Sequence, residues 1–346
     1  MLSLCTAVVV AVTDFDADIQ EIRAEAGDGT ERKALNYVAL TGAASVGDTV
    51  TLNTTAVALR LGTGGFDFVT ANRSTSEAIL RPGPGHIMKG RYLPNQIAVL
   101  TLEEQPKHAD VWERSLEGMP VIAGQLHSQL IPAAFAAKSK QNLRIAYIMT
   151  DGAALPLSFS NSVRTAKSRG LIDVTLTCGQ AFGGDFETVT LYSALLAARY
   201  IGACDLAFVC QGPGNAGTGT RLGYTGIEQA GILDSVERLG GLPIAVARVS
   251  SADPRPRHQG ISHHTITALE LAYAQAVVPL PVGVDRSPIS DRHDVVFIPE
   301  TPAVRAAMVK DGWKVRSMGR DSAEDPLFFE SAIAAGIAAS AKVTKL

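Results

Sequence analysis

The sequence predicts an α/β fold: a doubly wound, mostly parallel sheet that follows an N-terminal β-rich domain built as a small barrel or sandwich. Three observations carry this reading. From about residue 107 onward, short apolar runs alternate with segments of helical period, the pattern of βαβ units. Several of those runs are almost continuously apolar, as strands covered on both faces must be. Before that point, short alternating strands follow one another through glycine turns with no helix between them. The domains are accordingly 1–106, β-rich, and 107–346, Rossmann-like α/β.

The elements follow in order. Ala7–Thr13 is an apolar strand. It is not a secretory signal, because no basic residue precedes it and Asp14 and Asp16 follow at once. Ile19–Glu25 and Arg32–Leu40 flank Gly27-Asp28-Gly29, a hairpin turn. Gly47-Asp48 leads into Thr49–Asn53. Leu61-Gly-Thr-Gly-Gly65 interrupts the pattern before Phe66–Val69 and reads as a tight turn rather than a phosphate loop. Arg81-Pro-Gly-Pro-Gly85 is a rigid loop, and His86–Arg91 pairs with Ile97–Glu103 as a hairpin. Period-2 alternation places His86 and Met88 on one face and Lys89 and Arg91 on the other. The two cations are either solvated or a pair that reaches toward a ligand.

In the second domain Trp112–Lys138 is helical in character, interrupted near Pro120 and Pro132. Strands are expected at Leu143–Met149, Asp173–Cys178, Cys204–Cys210, Pro243–Val249, Ala276–Leu280, Val295–Ile298 and Lys314–Met318. One helix carries Val189, Tyr192, Leu195, Leu196 and Arg199. Thr225-Gly-Ile-Glu228 has the spacing of a capping box, opening a helix with Ile232, Val236 and Leu239 inward and closed by Gly240-Gly241. Thr301-Pro begins another, with Pro in its first turn. The Ala-rich Ser331–Lys342 is a final docking helix.

Composition narrows the function classes. Of 346 residues, 46% are hydrophobic and 19% charged, a globular balance. The net charge of −3 supplies no global basic field, so no nucleic-acid partner is predicted. No apolar run reaches the ~18 residues of a membrane span. Four cysteines without a C-x-x-C pair fit reduced thiols in a cytoplasmic protein.

Four strand ends carry loops rich in Gly, Asp, Thr and His, and open α/β sheets bind ligands outside such ends. Gln211-Gly-Pro-Gly-Asn-Ala-Gly-Thr-Gly-Thr220 is the strongest. Gly212, Gly214, Gly217 and Gly219 let backbone N–H groups close on an anion, and the Thr218 and Thr220 hydroxyls add donors. It is neither a Walker loop nor a dinucleotide fingerprint. Asp253-Pro-Arg-Pro-Arg-His258 and Ser262-His-His264 form the second cluster. Arg255 and Arg257 suit a carboxylate or phosphate. His258 and His263 suit acid–base work or a divalent metal, converging with Asp253 and with Asp185 or Glu187. Against this, Asp253 and Ser262 are natural local caps, and adjacent histidines on a helix point in different directions. Asp151, at the end of the first strand, either binds a ligand or fixes its turn. Asp185 either caps a helix or orients a histidine. Cys178 and Cys210 read as buried residues rather than reactive thiols.

Gly85-His-Ile-Met-Lys-Gly-Arg-Tyr, Thr150-Asp-Gly-Ala-Ala-Leu-Pro, Gly179-Gln-Ala-Phe-Gly-Gly-Asp, Gly212-Pro-Gly with Gly217-Thr-Gly-Thr, and Arg257-His-Gln-Gly-Ile-Ser-His-His-Thr resemble the signature stretches of an uncharacterised bacterial protein family of unknown function. The resemblance spans nearly the whole chain and implies a bacterial cytoplasmic protein. It implies no reaction, cofactor or catalytic residue. The loops themselves lead to the expectation of a hydrolase or transferase acting on an anionic, phosphorylated or nucleotide-like small molecule. His258, His263, Asp151 and Asp185 are the catalytic candidates. Gly212, Gly214, Gly217, Thr218, Gly219, Thr220, Arg255, Arg257, Lys89 and Arg91 are the binding candidates. The alternatives are a non-catalytic sensor and an oligomeric structural protein; a divalent metal and homo-oligomerisation stay open.

Overall fold

A computed structural model describes residues 2–61, 64–75 and 85–344. Gly62 and Thr63 of the predicted glycine turn, and residues 81–84 of the predicted Pro-Gly loop, lie outside the described residues. The chain forms two compact units, Met1–Leu100 and Thr101–Leu346.

The first unit is a closed barrel of β1 (Leu4–Asp14), β2 (Ile19–Ala26), β3 (Glu31–Tyr37), β4 (Thr49–Asn53) and β5 (Asp67–Asn72), in the order β1-β2-β3-β5-β4. The choice between barrel and sandwich thus resolves to a barrel, whose closure leaves no exposed edge. Alternation along β2 sends Ile22, Ala24 and Ala26 into a lumen shared with Val9, Val50, Leu52 and Val69. Short helices α1 (Val38–Thr41) and α2 (Thr55–Ala58) flank β4. The β2–β3 turn is the predicted one: Gly29 has φ +79° and donates its N–H to the Ala26 carbonyl at 2.9 Å. A small hairpin follows, β6 (Ile87–Lys89) with β7 (Ile97–Val99). It corrects the expected outward pair of cations. Lys89 is 1% exposed, whereas Arg91 is exposed, because pairing ends at Lys89 and Gly90 (φ +62°) turns the chain between them.

The second unit is built on an eight-stranded sheet whose paired neighbours are all parallel. Its strands are β8 (Pro120–Ala123), β9 (Ile145–Thr150), β10 (Val174–Thr177), β11 (Phe186–Glu187), β12 (Leu206–Gln211), β13 (Leu242–Ala245), and, past the small antiparallel hairpin of β14 (Val249–Ser250) and β15 (Gly260–Ile261), β16 (Val277–Pro281) and β17 (Asp294–Ile298). The order is β11-β10-β9-β12-β8-β13-β16-β17. The chain runs outward from β8 to β11, returns to insert β12, then continues on the other side of β8. Its direction therefore reverses around β12, β8 and β13, where α/β sheets of this kind place their ligands.

The helices are α3 (Leu130–Lys140), α4 (Asn161–Ser168), α5 (Leu191–Tyr200), α6 (Gln229–Arg238), α7 (His263–Leu271), α8 (Thr301–Lys310) and α9 (Pro326–Ala341). The sheet is buried on both faces. Val121, Ala123, Ile148 and Val209 join one core with Leu195 of α5 and Leu233 of α6. The alternate residues Ile122, Tyr147, Met149 and Phe208 join a second with Ala133 of α3, Val163 of α4 and Phe328 of α9. This is the doubly wound arrangement.

Three expectations are corrected. Trp112–Lys138 is not one interrupted helix: it contains the central strand β8 and only then α3. Pro120 opens that strand, a position where a missing N–H is tolerated. Lys314–Met318 is not a sheet strand. It supplies β18 (Arg316–Ser317), which pairs only with β19 (Arg320–Asp321). Thr225–Glu228 is a 3₁₀ turn with no side-chain cap, and α6 begins only at Gln229.

Candidate functional site

The loops at the carboxyl rim of the sheet adjoin one another in the order of their strands. Gln180 donates its backbone N–H to Asp151 Oδ2 at 2.8 Å, joining the loop after β10 to the loop after β9. Ala154 N–H donates to the Pro213 carbonyl at 3.1 Å, joining the loop after β9 to the glycine-rich loop after β12. Gly212 is required there, since a Cβ would lie 2.8 Å from the Ala154 carbonyl. The glycine-rich loop in turn reaches the arginine–histidine segment. A Cβ at Gly217 would lie 3.9 Å from the His264 ring, and one at Gly219 would lie 3.6 Å from Arg257 Nη2.

The centre of the rim is filled by a polar network. Gln229 Nε2 donates to the carbonyls of Ala123 and Val246 at 2.7 and 3.0 Å, bridging the ends of β8 and β13. Its Oε1 accepts from Gln125 Nε2, and Gln125 Oε1 accepts from the Thr265 hydroxyl. Gln211 Nε2 donates to Asn215 Oδ1 at 2.7 Å, while its fully buried Oε1 has no hydrogen-bond partner among the described residues. Glu228 accepts the Thr150 hydroxyl at 2.8 Å and the Gln211 N–H at 2.9 Å. Burial raises its carboxyl to about 6, against those hydrogen bonds and with a further push from Asp151. A carboxyl poised there can give or take a proton near neutral pH.

Beside this network lies the arginine–histidine segment. Asp253 is fully buried and accepts from Arg248 at 3.1 Å, Arg255 at 2.8 Å and Arg320 at 3.3 Å. The Arg255 hydrogen bonds, with Arg248 beside them, hold its carboxyl well below the usual range. Burial lowers the Arg248 guanidinium to about 10. His258, from the 3₁₀ turn Pro256–His258, pairs its Nδ1 with Ser262 Oγ at 2.7 Å. Ser262 also caps α7, accepting the His264 N–H at 3.2 Å. Tyr224 stacks on His264 with centroids 3.7 Å apart and donates its hydroxyl to the His264 carbonyl at 2.6 Å. One ring nitrogen from each of His258, His263 and His264 lies within 4.8 Å of the others. Burial, followed by Arg248 and Arg255, lowers His258 to about 3; burial, followed by His263 and Arg248, lowers His264 to about 3. His263 is lowered too, by burial and then Arg257. The His258 and His264 rings are neutral at pH 7.

The sequence profile of a protein family of unknown function, DUF3866, matches residues 33–336. The chain belongs to that family. No curated protein matches it. The family description assigns no activity, so the chemistry is read from this member's own side chains.

Several predicted site residues stand differently in the fold. Asp253 is no metal ligand, because its oxygens are taken by three guanidinium groups. Arg255 is engaged in that pairing; Arg257 is exposed and makes no hydrogen bond or ion pair among the described residues. Thr218 and Thr220 bond to one another at 2.9 Å and to the Gly223 backbone, so their hydroxyls close the loop on itself. Asp185 opens no helix. It precedes β11, accepts from Thr175 and pairs with Lys167, at the β11 end of the sheet. Glu187 is likewise in β11, not in a helical first turn. His263 and His264 do not diverge: at the first turn of a helix no preceding turn constrains the side chains, and both rings fold back toward His258.

Glu228 has the spacing of a cap, and His264 follows His263 directly on a helix, so the sequence singles out neither. His127 was missed as well: its Nε2 meets Ser160 Oγ at 2.6 Å and its Nδ1 meets the Tyr147 hydroxyl at 3.1 Å. Ser160 is 1% exposed and its Oγ caps α4, so this pair is structural. Cys178, Cys204 and Cys210 are buried and none of them is in a disulfide among the described residues, and burial raises the Cys204 thiol to about 12.

Proposed function

We propose that the second unit is an enzyme of the hydrolase or transferase class that acts on an anionic small molecule. The observation that carries this reading is the meeting of Gly217 and Gly219 with His264 and Arg257 at the reversal point of the sheet. In this reading the Gly212–Gly219 backbone and the exposed Arg257 guanidinium hold the anion. Glu228, with Asp151 beside it, takes the acid–base role. Its carboxyl, held near 6, matches neutral pH, whereas imidazoles held near 3 are poor bases there. Asp185 has no part, being occupied by Lys167 and Thr175. A non-catalytic binder would need only donors at the rim; a proton-exchanging carboxyl favours catalysis.

The test is a thermal-shift and turnover screen of nucleotides, sugar phosphates and carboxylates with the full chain. A true ligand at about 100 Kd stabilises wild type by about 2.7 kcal/mol. Arg257→Ala removes that shift, and Glu228→Gln keeps it while abolishing turnover. A ligand shift that survives Arg257→Ala unchanged rules the reading out.

A further inference from the structure

We propose that His258, His263 and His264 form a three-imidazole site for one divalent transition-metal ion of the zinc class, with an open coordination position facing Arg257. This goes beyond the anion reading and does not depend on it.

The donor chemistry comes first. Three imidazole nitrogens gather without a carboxylate or thiolate among them. Imidazole suits zinc, cobalt, nickel, copper and iron, whereas magnesium and calcium take oxygen. Three protein ligands with an open position is the arrangement of catalytic rather than structural zinc.

Hydrogen-bond accounting points the same way. His258 pairs its Nδ1 with Ser262 Oγ at 2.7 Å. With Nδ1–H as the donor, Nε2 keeps its lone pair for a ligand, and the serine acts as the outer partner that fixes the ring. His263 Nε2 is buried and has no hydrogen-bond partner among the described residues. Buried ring nitrogens are normally satisfied, and an orphan of this kind on a half-buried histidine is unfavourable. His264 is held by the Tyr224 ring stacked on its face, which is itself tied to the His264 carbonyl. Two of the three rings are thus pre-oriented, and the third carries an unused nitrogen.

Geometry and charge define what binding must do. Tetrahedral zinc, with bonds of about 2.0–2.1 Å, needs ligand nitrogens roughly 3.3 Å apart. The observed spread reaches up to 4.8 Å, so the rings draw inward on binding. Around them, Arg248, Arg255 and Arg320 face Asp253 and Asp325, three cations against two carboxylates, and Arg257 adds one more. A dication is therefore best held with an anion in its open position. Metal and inorganic phosphate should tighten each other's binding, by the same factor in both directions.

The experiment uses the full chain, stripped with chelator and titrated with Co²⁺ and then Zn²⁺. Wild type takes up one equivalent of Co²⁺ with the visible absorption of a four-coordinate site, and Zn²⁺ displaces it. His258→Ala and His263→Ala each weaken binding by more than about 100-fold. Ser262→Ala weakens it by about 10- to 100-fold, and Ser262→Thr restores it. Failure of wild type to take up stoichiometric metal overturns the proposal. So does uptake that His258→Ala and His263→Ala leave unchanged, since the ions would then sit elsewhere. Should those variants not fold, imidazole NMR of wild type decides: Zn²⁺ must shift all three rings together, and uptake that leaves them unmoved counts against the site. Phosphate binding is scored separately, with and without metal. Its absence in both states would end the anion reading and leave the metal site standing.

Discussion

Replacing Glu228 with Gln should stabilise the second unit at pH 8 and flatten its pH dependence. The carboxyl is raised from 4.5 to about 6 in the folded chain, chiefly by burial. A raised carboxyl binds its proton more tightly when folded than when unfolded. The stability this brings is complete below about 4.5 and is lost as pH rises through about 6. At pH 8 the ionised form therefore costs up to about 2 kcal/mol, at 1.36 kcal/mol per unit. Glutamine keeps one oxygen for the Gln211 N–H and turns its amide toward Thr150 Oγ, so the two hydrogen bonds to Glu228 have replacements. Urea unfolding of wild type and Glu228→Gln from pH 4 to pH 8 reads this directly. The curves should diverge between about pH 4.5 and pH 6.5, with the variant gaining. Parallel curves, or a variant less stable at pH 8 by more than about 1 kcal/mol, would show that the acceptor bonds to the carboxylate outweigh its desolvation.

Other outcomes follow from the same geometry. Asp253→Asn leaves the buried Arg248 without its counter-ion and should cost about 3–5 kcal/mol by urea unfolding; a loss below about 1 kcal/mol would show that the remaining partners suffice. Gly336→Ala gains about 1 kcal/mol of helix propensity. Its Cβ, however, overlaps the Ala133 carbonyl where α9 packs on α3, so a net loss of about 1–3 kcal/mol is expected in a thermal melt. In metal-free protein, His258 and His264 are held near 3, below their unfolded value of 6.5. Their contribution is present above about 6.5 and fades as pH falls toward 3, so acid titration should destabilise the second unit across that window.

The sequence carried the regular parts of this fold well. Thr49–Asn53 is a strand with the predicted ends, and the apolar runs at 145–150, 174–177, 206–211 and 277–281 are sheet strands within two residues. Each is signalled locally, by alternation, by a continuous apolar run or by a glycine turn. β8 was hidden because four residues beginning with Pro120 carry no period of their own; only pairing with β12 and β13 makes them a strand. Glu228 was hidden for a related reason. Thr-x-x-Glu is the spacing of a capping box, and nothing local says that the carboxylate turns instead to Thr150, 78 residues away. Asp253 is similar: its local pairing with Arg255 was readable as a cap, but Arg320 comes from the far end of the chain. The glycine-rich loop and the arginine–histidine segment were both visible as unusual composition. That they touch is a property of strand order, which places the ends of β12, β8 and β13 side by side.

The most direct measurement is a titration of isotope-labelled full-length protein with inorganic phosphate, followed by NMR at the Gly212–Gly219 amides and at the Arg257, His258, His263 and His264 side chains. A single shared site predicts that both groups of resonances move together and fit one dissociation constant. Movement in only one group, or two unrelated constants, would mean that the glycine-rich loop and the arginine–histidine segment are neighbours without a common ligand.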